Sequence, residues 1–269
     1  MREERLVYLK KLGANEKRVA APREVPAESP PKEASAPIEG EAPKKKMGKK
    51  PPPLIVQGEA RKYRFHYTKT GPSAFLSHLD LLRALPRAFR RINVPMFYSS
   101  GYHPKPEMMF GPALSLGVAS LSETADVKLA CDIDPHEVAM QLTGASQEGV
   151  RFIDGVKILP GDSAVSKLIN AAEYVVGIPS AVLEERGGES WLRERIEWMK
   201  RESSVRVLRK IEGVGKWVDV KAFLRDVRLD PEYGARLLTE AGIVGRIVPL
   251  VVTVAISGSG AVKISEVMR

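Results

Sequence analysis

Apolar and polar residues begin to alternate regularly at Arg61. Tyr63, Phe65 and Tyr67 alternate with the polar residues between them, which is the period-2 pattern of a strand with one buried face. Thr70 and Gly71 end the pattern with a turn signal. The sequence therefore predicts that the ordered part of the chain opens with a half-buried strand.

A helix is predicted directly after this strand. Ser77, followed three residues later by Asp80, approximates a capping box and marks the helix start. The apolar positions that follow at helical spacing are Leu79, Leu82, Leu85, Phe89 and Ile92. Pro86 lies well beyond the first turn, so we expect a kink there or two helical pieces.

Residues 98–118 form a loop rich in proline and glycine, and regular patterns resume after it. Residues 125–133 alternate as a strand, a helix is predicted from Asp134 to Gln141, and residues 151–159 form a closing strand. With residues 96–99 and their continuation through the loop as the second strand, the order is βαββαβ. This order predicts a ferredoxin-like unit with an antiparallel sheet over residues 61–162.

The second half of the chain predicts another α+β unit, over residues 163–269. Its predicted elements are strands at 173–178, 205–208, 217–224 and 247–256, a shorter strand containing Leu237 and Leu238, and a helix at 190–202. We therefore expect tandem ferredoxin-like domains. The last helix would be only the stub from Ile264 to Arg269, so we expect the second unit to be incomplete at its C-terminus.

The first 60 residues differ in composition from the rest. They hold nine of the 20 prolines and a single aromatic residue, Tyr8, and they include a lysine run between Lys44 and Lys50. Such a segment buries too little apolar surface to offset its ordering entropy. We expect residues 1–60 to be a flexible, disordered basic linker with a short helix at residues 2–11.

The charge balance favours an anionic partner. Forty-two Lys and Arg residues stand against 33 Asp and Glu residues, a formal net charge of +9. A basic balance of this size favours RNA, a ribosomal surface or an acidic protein. The chain shows no signal-peptide pattern and no apolar run of about 18 residues, so we expect a cytoplasmic protein with no membrane partner.

Cysteine usage limits the chemistry that the chain supplies. Cys131 is the only cysteine, so it forms no intrachain disulfide and cannot hold an iron–sulfur cluster, which needs several thiolates. The four histidines, at positions 66, 78, 103 and 136, do not have the spacing of a metal site. The sequence predicts no metal site and no cofactor in this chain.

The candidate RNA-binding or partner-binding residues combine a basic helix face with the Pro/Gly loop. They are Arg83, Arg87, Arg90, Tyr98, Tyr102, His103, Lys105 and Phe110. Aromatic rings and cations together are what single-stranded RNA uses for stacking and backbone contact. The alternatives are a solvated arginine face, which would also include Arg91, and tyrosines that simply pack the loop.

His78 and His103 have two interpretations. Two histidines beside a basic surface can act as general acid and base on an RNA 2′-hydroxyl. Alternatively, His78 fixes the helix start and His103 packs within the loop. The sequence leaves both interpretations open.

Several ordered blocks of the chain resemble a known family. The blocks are Tyr63 to Gly71, Phe75 to Arg83, Tyr98 to Pro106, Met109 to Leu114, Leu116 to Val118 and Asn170 to Tyr174. Together they resemble the radical-SAM-linked protein family, a domain of unknown function fused to or encoded beside radical SAM proteins. The resemblance covers roughly residues 61–225. Pro86 and the short C-terminus depart from the family's pattern.

The resemblance implies a partnership rather than a reaction. The iron–sulfur cluster and S-adenosylmethionine are expected only on the radical SAM partner, and the family offers no catalytic residues to carry over. We therefore expect a non-catalytic accessory protein that recognises RNA or a ribonucleoprotein for that enzyme. The alternatives are a metal-independent endoribonuclease similar to CRISPR RNA-processing endonucleases, and a protein interaction module without RNA binding.

Overall fold

The computed structural model describes residues 7–14, 57–211, 214–257 and 260–268, which form a mixed α+β fold. The strands are β1 Val7–Ala14, β2 Arg61–Lys69, β3 Met108–Phe110, β4 Ala119–Leu129, β5 Val150–Lys157, β6 Ile169–Pro179, β7 Arg206–Ile211, β8 Val214–Asp219, β9 Leu224–Leu229, β10 Ile247–Ser257 and β11 Gly260–Ala261. The helices are α1 His78–Arg91, α2 Pro135–Ala145, α3 Val165–Leu168, α4 Ser180–Glu185, α5 Gly188–Arg201, α6 Pro231–Glu240 and α7 Ile264–Val267. A 3-10 turn at Gly71–Phe75 precedes α1.

Nine strands form one sheet in the order β11-β10-β6-β1-β4-β2-β5, with β3 paired to β4 and β9 paired to β10. The β1–β4 pair is parallel, and the other pairs in the sheet are antiparallel. Strands β7 and β8 form a separate hairpin. The predicted α+β class with antiparallel pairing is therefore confirmed.

The first predicted unit has its expected chain order. Residues 61–157 run β2-α1-β3-β4-α2-β5, and their four strands lie side by side as β5-β2-β4-β3. Tyr63, Phe65 and Tyr67 are fully buried, as the alternation predicts. Their rings pack with Phe89 of α1 and Phe152 of β5, so this helix and this strand share one core.

The second strand of this unit lies in the predicted continuation through the loop and not at residues 96–99. Residues 96–99 make only isolated bridges, Met96 to Leu129 and Tyr98 to Pro106, and the strand that pairs with β4 is Met108–Phe110. Residues 96–99 form no strand of their own because the Pro/Gly loop folds back on itself before the chain joins the sheet.

The second half does not confirm a second ferredoxin-like unit. Strands β9 and β10 are antiparallel neighbours, whereas the split βαβ order would separate them. Leu237 and Leu238, predicted in a short strand, lie in helix α6 instead. Asp230 starts this helix, since its side chain accepts a hydrogen bond from the backbone N–H of Tyr233 at 3.2 Å.

The N-terminal prediction is corrected where the structure describes it. Residues 7–11, expected in a short helix, belong to strand β1, which lies between β4 and β6. As a strand, this segment pairs with both β4 and β6. Local sequence does not reveal these pairings. The rest of the expected helix, residues 2–6, and residues 15–56 of the expected linker lie outside the described residues.

Helix α1 begins as predicted and is continuous. The Ser77–Asp80 capping box is present, and the helix runs through Pro86 to Arg91 as one piece rather than two. Leu85 and Phe89 are buried, but Leu79 is 63% exposed and does not belong to the buried stripe. Leu81 takes that inward position instead.

One small core cluster joins the two halves of the sheet. It combines Ala74 and Ala119 from the first half with Val175, Leu238 and Val251 from the second. Among the helices that the structure describes, none is long and apolar enough to cross a membrane.

Candidate nucleic-acid interface

Helix α1 presents a row of arginines. The capping box fixes where the helix begins, and the burial of Leu85 and Phe89 fixes which side faces the sheet. Arg83, Arg87 and Arg90 follow at spacings of four and three residues, so they share the opposite face, and all three are exposed. We call these three residues the arginine row.

The arginine row is not neutralised by carboxylates. Within the described residues, none of the three guanidinium groups forms a salt bridge. Hydrogen bonds from Ser77, with a smaller contribution from Arg83, lower the pKa of the Asp80 carboxyl. Arg91, also exposed, donates a hydrogen bond to the carbonyl oxygen of Ala145 at 2.7 Å, so part of its bonding capacity is used within the protein.

Residues 98–106 fold into a small hairpin, which we call the 98–106 hairpin. Tyr98 bridges to Pro106, and Ser99 and Lys105 are joined by two hydrogen bonds, backbone N–H of Ser99 to Lys105 O at 2.9 Å and backbone N–H of Lys105 to Ser99 Oγ at 3.1 Å. Tyr102 therefore lies at the tip, where it is 78% exposed, next to the exposed His103. Lys105 is exposed on the returning arm.

The base of the hairpin is anchored to the rest of the fold. The side-chain amide of Gln57 donates to the carbonyl oxygen of Tyr98 at 2.9 Å and accepts from the Tyr98 N–H at 2.5 Å. Lys128 of β4 forms a salt bridge with Glu107 and places its ammonium group 5.9 Å from the ring centre of Phe97. The hairpin therefore projects from the edge of the sheet, and these contacts hold its base in place.

The arginine row and the hairpin meet at one groove. Arg90 and Tyr98 both line it, together with Gln57 and Pro86, and its volume is about 480 Å³. The cation at the end of the row and the aromatic residue at the base of the hairpin therefore share one open surface. Such a surface has the two groups that a nucleic-acid backbone and an unstacked base require.

A buried polar cluster lies on the inner side of the same unit, and sequence reasoning missed it. Lys69 is 2% exposed and Glu123 is 6% exposed, and both line a cavity of about 10 Å³ with Tyr67. That volume holds about one water molecule. The signal was available, because Lys69 continues the inward alternation of Tyr63, Phe65 and Tyr67.

Burial sets the ionisation of this cluster. Burial lowers the pKa of Lys69, and the nearby carboxylate of Glu123 partly offsets the shift. Burial raises the pKa of Tyr67 well above its usual value, with a further contribution from Glu123. Burial raises the pKa of Tyr174 to about 12, and the charge of Glu123 contributes to this shift. Burial thus favours the neutral phenols, and it opposes the charged form of Lys69, which Glu123 partly restores.

Three of the segments that carry the family resemblance meet at this cavity. Strand β2 supplies Tyr67 and Lys69, helix α1 supplies His78, and Phe110 with the loop after β3 supplies residues 110–114. The ring of His78 packs edge-on against Phe110, with 5.2 Å between ring centres. This packing contact is the setting of His78, the first candidate histidine.

The sequence-predicted residues thus fall into separate groups. Arg90 and Tyr98 share the groove, His78 and Phe110 share the small cavity, and Tyr102, His103 and Lys105 lie on the hairpin. No hydrogen bond or ring contact joins His78 to His103 in the described part of the chain. In residues 7–14, 57–211, 214–257 and 260–268, no three His, Cys, Asp or Glu side chains gather into a possible metal site.

Comparison with known families gives one match. Residues 62–255 match the model of a family described as an uncharacterized protein conserved in bacteria, DUF2344. The match spans more than half of the chain, so the chain belongs to this family. It includes β2, α1, the 98–106 hairpin and the buried cluster. No curated protein matches the chain.

Proposed function

We propose that this DUF2344 protein binds single-stranded RNA through the arginine row and the 98–106 hairpin, and presents it to a radical SAM enzyme. The observation that carries the proposal is the groove where Arg90 and Tyr98 meet, between three arginines without salt bridges in the described residues and an exposed hairpin tip. Arginine side chains bind phosphates, and aromatic rings stack with bases.

The overall charge supports the same ligand. A net charge of +9 attracts polyanions over a Debye length and raises the rate of encounter. The site itself has the features of single-strand binding, because it combines cations with Tyr98 in the groove and Tyr102 at the hairpin tip, on which unstacked bases can stack. The proposal takes residues 61–157 as a ferredoxin-like unit, an assignment supported by their strand order β5-β2-β4-β3.

The radical SAM partnership has a different support. It rests on the resemblance of the blocks between Tyr63 and Tyr174, and on Cys131 as the only cysteine, which leaves cluster binding to another chain. In this proposal the protein contributes RNA recognition, and the partner contributes the cluster and the chemistry.

RNA binding is tested by fluorescence anisotropy with a labelled oligouridine of about 20 nucleotides. The triple variant Arg83→Gln/Arg87→Gln/Arg90→Gln is expected to bind at least about tenfold more weakly at about 50 mM salt. Its plot of log affinity against log salt should be shallower by about 2, because three phosphate contacts are lost. Tyr102→Ala should weaken binding about five- to 100-fold, and Tyr102→Phe should retain it.

The matched control removes three positive charges from another helix. Arg193→Gln/Lys200→Gln/Arg201→Gln changes exposed residues of α5 and the net charge by the same amount. Equal losses in both triple variants would show that only net charge matters and would refute the proposed site. Absence of binding at about 50 mM salt would refute RNA binding altogether, since low salt favours phosphate contacts.

The two alternative functions give different results. Metal-independent cleavage of structured RNA that is lost in His78→Ala or His103→Ala would assign the endoribonuclease instead. Co-purification with a radical SAM protein that survives nuclease treatment, in a chain without RNA affinity, would assign a protein interaction module. Co-purification together with salt-dependent RNA binding supports the accessory function.

A further inference from the structure

A large apolar groove lies in the second half of the molecule, far in sequence from the RNA surface. Its volume is about 640 Å³, within the range of small-molecule sites. Three strands of the sheet supply Ile178, Val227 and Leu250 to its lining. Trp191 of α5 lies at its rim, where two arginines contact the indole ring. We call this groove the Trp191 groove.

The walls of the groove are apolar. Helix α5 contributes Leu192, Ile196 and Met199, and the β7–β8 hairpin contributes Val207 from the opposite side. Leu192 and Ile196 are buried against the sheet, whereas Met199 and Val207 are half-buried and border the open volume. An occupant of this volume would remove apolar surface from water, which favours an apolar body.

The rim of the groove is cationic. Arg186, Arg195 and Arg206 line it and are exposed, and none of them forms a salt bridge within the described residues. The guanidinium groups of Arg186 and Arg195 lie 5.5 and 5.7 Å from the ring centre of Trp191. Both guanidinium groups lie against one ring, so the rim concentrates positive charge, and an anion bound there would offset their mutual repulsion.

Glu266 is the acidic residue that lines the groove, and its charge does not prevent an anion from binding there. The carboxylate of Glu266 accepts hydrogen bonds from Arg209 Nε and Nη2 at 2.6 and 2.7 Å and from the backbone N–H of Lys263 at 2.8 Å. Arg209 lowers the pKa of this carboxyl, in keeping with a charge that is already compensated. Because Arg206 lies opposite Asp219 on the β7–β8 hairpin, the positive field at the rim comes mainly from Arg186 and Arg195.

The N-terminal part of the chain does not complement this groove. Residues 15–56 contain nine Lys and Arg residues against six Glu residues, so they carry the same sign of charge as the rim. An occupant that complements the groove would carry the opposite charge, with an apolar body and a negatively charged head group.

We propose that the Trp191 groove binds a small amphipathic anion, with its apolar body against α5, β7 and the sheet and its phosphate or carboxylate at the cationic rim formed by Arg186 and Arg195. The guanidinium planes offer bidentate hydrogen bonds to such a head, and the indole ring offers a flat apolar face beside it. This site goes beyond the proposed RNA function and shares no residue with the arginine row or the 98–106 hairpin.

The tryptophan residues of the chain provide a fluorescence signal for this site. Its three tryptophans are Trp191, Trp198 and Trp217, and the first two line the groove. Trp217 is 65% exposed on β8 and does not line it. In the full-length Trp217→Phe variant, tryptophan fluorescence therefore reports on the groove, and it can be titrated with decyl phosphate, decanoate and decanol up to about 1 mM.

We expect decyl phosphate or decanoate to bind at least about tenfold more tightly than decanol, since hydrogen bonds to charged groups add at least that factor. Whichever of the two anionic ligands binds more tightly identifies the preferred head group. Arg186→Gln/Arg195→Gln should abolish the preference, and Val182→Phe, which narrows the groove, should weaken all three ligands. Arg193→Gln/Arg201→Gln, on the same helix but outside the lining, should leave the affinities unchanged.

Equal affinity for decanol and both anions would overturn the proposal, as would unchanged binding in Arg186→Gln/Arg195→Gln. Absence of any fluorescence change at about 1 mM would also overturn it. The Arg83→Gln/Arg87→Gln/Arg90→Gln variant separates this site from the RNA proposal, because it should lose RNA affinity and keep anion binding.

Discussion

The ammonium group of Lys69 lies 3.1 Å from the carbonyl oxygen of Leu76, inside the protein. It also donates to the carbonyl oxygen of Ala74 at 3.4 Å. The lysine thus ties the end of β2 to the residues that lead into α1, where the capping box begins. The carbonyl oxygen of Ala74 also accepts from the Gly117 N–H at 3.1 Å, so Leu76 O is the acceptor that depends most on Lys69, which also interacts with Glu123 in the same cluster.

Lys69→Met should lower the free energy of unfolding by about 3 kcal/mol, because it removes the buried amino group beside Glu123 and the Lys69 hydrogen bond to Leu76 O. Urea unfolding followed by circular dichroism measures the change. Adding Glu123→Gln to Lys69→Met should recover part of the loss, since the carboxylate that interacts with Lys69 is then removed.

Lys62→Met is the matched control for this prediction. Lys62 lies on the same strand but is exposed, so its substitution should change stability by less than about 0.5 kcal/mol. Similar losses for Lys62→Met and Lys69→Met would contradict the role assigned to Lys69.

Two glycines should respond to alanine with opposite signs. A Cβ at Gly155 of β5 would lie 2.6 Å from the carbonyl oxygen of Pro135 and 2.7 Å from the ring of Phe65, so Gly155→Ala should destabilise by about 1 to 3 kcal/mol. A Cβ at Gly144 of α2 would meet open space, so Gly144→Ala should stabilise by up to about 1 kcal/mol. Thermal unfolding of both variants provides the comparison, and a shift of the same sign in both would count against this account.

The local patterns were sufficient for much of the first unit. Alternation identified β2 and its buried face, and the Ser77–Asp80 and Asp134–Pro135 signals identified the starts of α1 and α2. Asp230–Pro231 is the same kind of signal as Asp134–Pro135, and reading it would have placed Leu237 and Leu238 in a helix rather than a strand.

Non-local pairings could not be derived in the same way. Strand β1 shows no regular alternation, and its partners β4 and β6 are more than 100 residues away in sequence. The adjacency of β9 and β10 likewise depends on tertiary packing. The Trp191 groove also escaped prediction, because its arginines and apolar walls come from strands β6, β7, β9 and β10 and from the α4–α5 region, which sequence spacing does not connect.

Stability should fall in alkaline solution, partly through Tyr174. Burial, with a contribution from Glu123, raises its pKa to about 12 in the folded protein, whereas an unfolded tyrosine ionises near its ordinary value of about 10. The unfolded state therefore loses this proton first, so the stabilisation is complete below pH 10 and is lost as pH rises toward 12. Tyr174→Phe should make the decline shallower by up to about 1.4 kcal/mol per pH unit in this range.

Urea unfolding midpoints measured at steps between pH 9 and pH 11.5 (about half a unit apart) follow this decline. Tyr102→Phe is the control, because Tyr102 is 78% exposed at the hairpin tip and should leave the curve unchanged. A curve for Tyr174→Phe that parallels the parent protein would show that Tyr174 does not contribute to the alkaline loss.

The Arg64–Asp126 pair should be strongly coupled. Arg64 donates two hydrogen bonds to the carboxylate, Nε to Oδ1 at 2.6 Å and Nη2 to Oδ2 at 2.8 Å, and both side chains are nearly buried. Asp126 also accepts from the Val165 N–H at 2.9 Å, and Arg64 also donates to Ser163 O at 2.8 Å. The pair thus fastens the connection between β5 and β6 onto strands β2 and β4.

A double-mutant cycle with Arg64→Gln and Asp126→Asn measures this coupling. Each single variant leaves a nearly buried charge without its partner and should cost about 3 kcal/mol, whereas the double variant should cost less than the sum by about 1 to 3 kcal/mol. The exposed Arg61–Glu59 pair, at 2.9 Å, is the comparison, and its cycle should give less than about 1 kcal/mol because solvent screens it. Simple additivity at Arg64 and Asp126 would mean that the two side chains stabilise the connection independently, through Ser163 and Val165, rather than as a pair.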